Sequence, residues 1–476
     1  MSKQIWELVQ CMSSAERSSF KRHVGSLQKK EDVIYAQMFE SIYRMKTYRE
    51  KDFANIFGKG NNVSRMKNYL YVSLLSSLKE VITRSDATIK CKSQMNIAIM
   101  LYQKGLVGQS KKMVEKVILI AKKNKDLYSE AEAVSLQRLI LMNELNLSGV
   151  KESISQEKGI REKIEQQQTY ELLYVEFVNY VFKKGSIINA EDRLKLETFI
   201  KDENLIDIDK CFTIVAKSYF YRIYTLYYGM IGNYDLMHET ARKRFELYYE
   251  KEMGALEIQN VINSTNNYIE SCLIKEEFQM ASFLCEYLRK LNAPSLFYEA
   301  RKMIRSTILQ LQLNLSPNFV GERHDLSIDI ETCLQQFDRF LRSDERLELL
   351  FLLITLEFNN KNYKLSRSWI REYYKLNKSE VRIDLQLYVM IINIYINYIN
   401  KDLEYAVYLI QSLERFKKNE GLLDNYEEKL LAFLKKELVN LKKPNEVDLI
   451  LITKELIDLK SKRNEMSLAK YIDFTP

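Results

Sequence analysis

Proline and glycine are scarce, with four and thirteen residues in a chain of 476. Sandwiches, barrels and α/β domains need a turn breaker roughly every ten to twenty residues, so this scarcity excludes them. Collagen-like, proline-rich and Gly/Ser-linker chains are excluded on the same ground. Histidine occurs only at His23, His238 and His324, and no HExxH or other paired ligand spacing is present. Neither a metal nor a cofactor is therefore expected. There is no GxSxG nucleophile turn and no GxxxxGK[ST] phosphate loop. The stretch Gly58-Lys59-Gly60-Asn61-Asn62-Val63 lacks the third glycine and the preceding strand of a dinucleotide fingerprint. An enzyme is not expected.

Long apolar runs are missing too. The longest uncharged segment, Leu385 to Asn400, falls short of the ~20 residues a membrane span needs. It carries Gln386, Asn393 and Asn397 and reads as a buried helix, so no membrane partner is expected. The six cysteines, Cys11, Cys91, Cys211, Cys272, Cys285 and Cys333, form no CxxC pair and sit in apolar stretches, where a free thiol behaves as a small core residue. Glu7 and Gln10 interrupt the first apolar stretch, so no leader is expected, and a reducing cytoplasm is the expected setting.

What is present is charge, apolar bulk and periodicity. Hydrophobic residues make up 46% and charged residues 29%, the balance of a chain that folds. The net charge of +8 lies wholly within residues 1–92, which hold 17 Lys/Arg and 9 Asp/Glu. Such asymmetry either draws phosphate and acidic surfaces or is a lysine-rich solvated face. In that module Trp6, Leu8 and Val9 open a short helix, and Ser13-Ser14-Ala15-Glu16 has the spacing of a capping box. Met38, Ile42 and Met45 share a face. Met66, Leu70, Leu74, Leu78 and Ile82 line a longer helix from about 64 to 82. A short helix, the turn at Gly58–Asn62 and this second helix have the outline of a helix-turn-helix. Lys59, Arg65, Lys67 and Asn68 would then be the nucleic-acid contacts. Any helical hairpin shows the same outline, and packing is the competing reading.

Beyond residue 89 a period of about 42 residues emerges. A polar or glycine-containing pair leads into an apolar residue, and a small residue usually follows three positions later. Gly105-Leu106-Val107 leads to Ser110; Gly232-Asn233-Tyr234 leads to Met237 and Ala241. Glu276-Glu277-Phe278 leads to Ala281, Lys361-Asn362-Tyr363 to Ser366, and Lys401-Asp402-Leu403 to Ala406. Missing steps near 150, 192 and 320 coincide with Ser148-Gly149-Val150, Asn189-Ala190 and Pro317-Asn318. Eight helix–turn–helix units are expected between about 90 and 420. Each buries its apolar stripe on the next. Stripes at Tyr426, Leu430, Phe433, Leu434 and Leu438, and at Leu449, Ile452, Leu456 and Leu459, predict capping helices over 421–476.

The Gly-Asn-Tyr turn at 232–234 and the Phe278/Ala281 pair resemble the tetratricopeptide class of helical repeats. The chain departs from that pattern in its longer period (the usual one is 34), in Met237 at a small-residue position, and in the missing terminal proline. The resemblance implies a curved scaffold that binds peptides or partner domains. The expected architecture is all-α: a basic helical module at 1–88, a right-handed α-solenoid of helix–turn–helix repeats at 89–420, and capping helices at 421–476. Tyrosines crowd one helix around Tyr219 to Tyr228 and mark another at Tyr388, Tyr395 and Tyr398. Most such rings pack between helices. Those facing a groove would suit peptide recognition, and Tyr221, Tyr224, Tyr228, Tyr388 and Tyr395 are the candidates. The expected function is a non-catalytic scaffold for a protein or peptide partner. The alternative is a nucleic-acid-associated regulator acting through residues 1–88. The Lys, Ile, Asn and Tyr bias is of the kind an AT-rich bacterial genome produces.

Overall fold

The computed structural model describes residues 2–25, 30–45, 47–57, 63–184, 190–249, 257–293, 295–376, 383–420 and 471–472. Among these residues every regular element is helical and no strand occurs. No helix among them is long and apolar enough to cross a membrane. The chain divides into two compact units: residues 1–166 with 252–257, and residues 167–251 with 258–476. The expected divisions at 88/89 and 420/421 do not coincide with this one, and the second lies where residues are not described.

The first unit contains α1 (Ser2–Cys11), α2 (Ser14–Gly25), α3 (Lys30–Arg44), α4 (Glu50–Phe57), α5 (Val63–Ser85), α6 (Ala87–Gln103), α7 (Val107–Lys123) and α8 (Leu127–Asn143), and it takes in the beginning of α9 (Leu147–Lys184). Helices α1 to α5 enclose their own core, in which Ile5, Val9, Phe20, Phe39, Ile42, Phe53, Leu70 and Leu74 are buried. The capping box at the start of α2 is formed. Ser13 N donates to Glu16 Oε2 at 2.6 Å, and Glu16 N donates to Ser13 Oγ at 3.2 Å.

The second unit takes the remainder of α9, then α10 (Ala190–Phe199), α11 (Ile214–Met230), α12 (Tyr234–Glu246), α13 (Ile258–Ile274), α14 (Phe278–Lys290) and α15 (Leu296–Leu315). It continues with the short α16 (Ser327–Glu331), α17 (Ser343–Asn359), α18 (Tyr363–Lys375), α19 (Ile383–Ile399) and α20 (Leu403–Glu420). Neighbouring helices pair as hairpins. In addition α13 packs on α15, α15 on α17, and α17 on α19. Alternate helices therefore form an inner row, and α14, α18 and α20 pack outside it. Next-but-one packing of this kind is what a stack of helical hairpins produces.

One turn recurs at each close hairpin. The middle residue takes a left-handed backbone at Gly105, Lys125, Leu145, Gly232, Glu276, Lys361 and Lys401, with φ between 53° and 76°. The next residue's N–H reaches back five positions to a helix carbonyl, as in Leu106 N to Leu101 O at 2.9 Å, Asp126 N to Ala121 O at 2.9 Å and Asn362 N to Glu357 O at 2.9 Å. This is the Schellman closure of a helix end. The same residue then caps the following helix where it is Asp126, Asn146 or Asn233. Each of these side chains accepts an N–H three positions on. A single three-residue unit thus stops one helix and starts the next.

The repeat positions inferred from sequence hold at these turns. Ser110 Oγ donates to Ala98 O at 2.8 Å, and Ser366 Oγ donates to Ile354 O at 3.0 Å, each bridging twelve residues back to the preceding helix. Ala241, Ala281 and Ala406 are fully buried. Two placements are corrected. The step assigned to Ser148-Gly149-Val150 is the first turn of α9, and the reversal lies at Glu144–Asn146. A further reversal at Asn124–Asp126 has no counterpart in the expected series. Asn189 lies outside the described residues, as do Lys59 and all the stripe residues named between 426 and 459.

A side chain at a left-handed position crowds the backbone at a cost of about 1 kcal/mol that glycine avoids. Leu145→Gly and Lys361→Gly are each expected to stabilise the protein by about 0.5–1 kcal/mol, measured by chemical denaturation. Leu145→Val, β-branched at the same φ, is expected to destabilise it.

Candidate functional site

The inner row of the second unit is unusually polar for buried helices. On α15, Arg301, Lys302, Gln310, Gln312 and Asn314 are all buried. Charges of alternating sign cross the row from helix to helix: Arg222 on α11, Glu270 on α13, Arg305 on α15 and Glu348 on α17. Arg305 bonds Glu345 at 2.8 Å and Glu348 at 3.5 Å, and Gln312 Nε2 donates to Glu348 at 3.0 Å. Burial works against the charge on Arg305, but Glu348, Glu345 and Glu270 outweigh it and hold its pKa above the usual value. Asn266 Nδ2 donates to Glu270 at 2.8 Å and orients it.

Glu345 is the centre of this cluster. It is fully buried, takes both terminal nitrogens of Arg301, one of them at 2.6 Å, and accepts from Arg305 and from the Arg342 N–H. Burial pushes its pKa up, yet the Arg301 hydrogen bonds and the Arg305 charge hold it below the usual glutamate range. Its folded pKa lies below its unfolded one. The stabilisation is therefore present at neutral pH and lost as pH falls through the lowered value.

Arg244 on α12 is 1% exposed, and its Nη1 has no hydrogen-bond partner. Its Nε donates to Ser218 Oγ at 3.1 Å. Burial, with the neighbouring Arg222 charge, pulls its pKa down to about 9. Arg222 itself lies over the Tyr174 ring at 4.0 Å. Burial lowers its pKa as well, Tyr174 and Tyr219 oppose that, and Arg342 reinforces it. Two like charges are thus neighbours, with no carboxylate bonded to either among the described residues.

Against the inner row sits a short piece of the C-terminal region. Tyr471 and Ile472 are each 5% exposed and belong to the apolar core built from α15, α17 and α19. Asn359 Nδ2 donates to the Tyr471 main-chain carbonyl at 2.8 Å. Burial drives the Tyr471 hydroxyl pKa up, and the Glu270 and Glu348 carboxylates add to it. The same two carboxylates belong to the charge ladder.

The residues expected from sequence are placed as follows. Tyr221, Tyr224 and Tyr228 are half-buried on α11. The Tyr224 hydroxyl donates to Leu205 O at 2.7 Å, and its ring meets Phe220 and Tyr228. Tyr388 and Tyr395 are a correction. They are 4% and 2% exposed, and Tyr395 packs edge-on against Phe358, so they serve the core of the row. Arg65 and Asn68 are exposed near the start of α5. Lys67 turns inward, donating to Ser2 Oγ at 2.7 Å and lying over the Phe53 and Phe57 rings. Sequence reasoning missed Arg222, Glu270, Arg305, Glu345 and Glu348, although Arg301/Arg305 and Glu345/Glu348 sit at one-turn spacing on strongly apolar helices. It also missed a grouping of His238, Cys272 and Glu277, whose donor atoms lie within 4.8 Å of one another.

No family model, no curated protein and no solved structure matches this chain.

Removing the Glu345 charge leaves Arg305 with Glu348 and Arg301 with the Phe340 carbonyl, two buried guanidiniums short of the carboxylate they share. Glu345→Gln is expected to cost about 3–5 kcal/mol at pH 7, with the deficit narrowing below the usual glutamate range. Denaturation curves at pH 7 and in acid read both effects. Arg244→Met is expected to stabilise the protein by about 1–4 kcal/mol, because it removes a buried charge that no carboxylate pairs with among the described residues.

Proposed function

We propose that the protein is a non-catalytic, tetratricopeptide-like binding module. In this reading a peptide segment of a protein partner lies along the inner row of α13, α15 and α17. The observation that carries it is the seating of Tyr471–Ile472. Two residues of the C-terminal region, Tyr471 in a 3-10 turn, are buried there, with a main-chain carbonyl held by the Asn359 amide and an aromatic hydroxyl near Glu270 and Glu348. A side-chain amide on a main-chain carbonyl fixes a peptide's register without regard to its sequence, and the apolar seat beneath supplies area. The ladder's alternating charges favour a partner with polar or charged side chains over a purely apolar one. The right-handed repeat stack and the cytoplasmic setting belong to the same proposal, the latter supported by six free thiols. The nucleic-acid reading has less support, since Lys67 is engaged within its own module.

A labelled peptide carrying residues 466–476, added to the full-length protein, tests this. The Tyr471→Ala/Ile472→Ala double variant, with its own seat emptied, is expected to bind the peptide with a Kd of about 1–100 μM. Wild type is expected to bind at least ~10-fold more weakly, because a tethered occupant competes at millimolar effective concentration. A peptide lacking the tyrosine ring should fail on both. A folded double variant that ignores the peptide contradicts the proposal.

A further inference from the structure

We propose that His238, Cys272 and Glu277 bind one divalent metal ion of the zinc class at the α12–α13–α14 junction. The site stands apart from the inner-row reading and does not depend on it. His238 lies on α12, Cys272 near the end of α13, and Glu277 at the residue that closes α13 and opens α14. Each offers one donor atom, and the three atoms lie within 4.8 Å of one another. Two of the ligands are fixed relative to each other by one Schellman turn, in which Glu277 N donates to Cys272 O at 2.9 Å, and the third comes from within α12.

The hydrogen bonds around the imidazole point the same way. Ser271 Oγ donates its one proton to Tyr268 O at 2.8 Å. It is then left only to accept, at 3.2 Å, from His238 Nδ1–H. The imidazole's other nitrogen, Nε2, faces the Glu277 Oε2 atom at 3.4 Å. A proton on Nε2 makes this contact an imidazolium–carboxylate pair, and a metal ion in the same place exchanges that proton for a bond to each atom. A ring N–H anchored on a neighbouring oxygen is the usual support of a metal-bound histidine. With bonds of about 2.0–2.3 Å, a tetrahedral ion places its donors roughly 3.3–3.8 Å apart. The His238–Glu277 separation already falls there, and the half-exposed Glu277 carboxylate has room to close on Cys272.

Charge and softness select the ion. Thiolate, imidazole and carboxylate together suit zinc better than magnesium or calcium, and three protein ligands leave the fourth position to water. Burial, with Glu277 and Cys285 adding to it, pushes the Cys272 thiol up to about 12. An M²⁺ ion reverses that preference. The S–H bond breaks, an S–metal bond forms, and one proton leaves to solvent. The resulting site, M²⁺ with one thiolate, one carboxylate and a neutral imidazole, carries no net charge.

The test is a titration of metal-stripped, reduced full-length protein with Co²⁺, then displacement by Zn²⁺. Expected are a thiolate-to-cobalt charge-transfer band and tetrahedral ligand-field bands that saturate at one equivalent, with one proton released per ion. Cys272→Ser should abolish the charge-transfer band and Cys285→Ser should keep it. Because Cys272 is a core residue, Glu277→Gln, at a half-exposed position, provides the second arm. Its Co²⁺ affinity should fall at least 10-fold while its melting temperature without metal is unchanged. No charge-transfer band at one equivalent, a band that survives Cys272→Ser, or unaltered affinity in Glu277→Gln each overturns the proposal.

Discussion

The architecture depends on one backbone constraint. A helix that stops and reverses within three residues must place one of them in the left-handed region, and this chain meets that demand at Gly105, Lys125, Leu145, Gly232, Glu276, Lys361 and Lys401. With the middle residue in place, the following N–H closes the spent helix and its side chain can open the next. Hairpins built this way keep their helices close enough for Ser110 or Ala281 to sit at the crossing. The conformational cost at five non-glycine turns is offset by burial along the whole hairpin, since packing rather than local preference carries most helix stability.

Short turns force neighbouring helices into antiparallel pairs, and stacking the pairs gives the second unit its inner row. Much of this row is buried, so polar groups on it must find partners there. Glu345 does so fully, with Arg301, Arg305 and the Arg342 amide around it. Arg244, on α12, is met less completely: its Nε bonds Ser218 Oγ and its Nη1 has no partner among the described residues. The seat of Tyr471–Ile472 shares Glu270 and Glu348 with this ladder.

Much of the fold was legible because helix periodicity and capping are local. The Ser13–Glu16 box, the small residues at 110, 281, 366 and 406, and the turns at Gly105 and Gly232 all follow from short-range chemistry. The turn at 125 was not read and the one at 145 was placed at Ser148-Gly149-Val150, because a spacing of about 42 residues passes over the first and falls just beyond the second. Their signal is the Asp126 and Asn146 caps that follow. Tyr388 and Tyr395 misled for a different reason. They lie in the uncharged run from Leu385 to Asn400, and a helix apolar on all sides is buried on all sides, tyrosines included. The ladder and the His238–Cys272–Glu277 grouping draw residues from several helices, and no spacing rule within one helix brings them together.

The central claim is that the inner row holds a peptide segment, and hydrogen exchange on the unmodified full-length protein tests it most directly. With Tyr471–Ile472 seated, the amides of a proteolytic fragment spanning 471–472 should exchange at least ~10²-fold more slowly than in the free peptide. Asn359→Ala should remove much of that protection without loosening α17. Exchange at the rate of the free peptide in wild type would contradict the account.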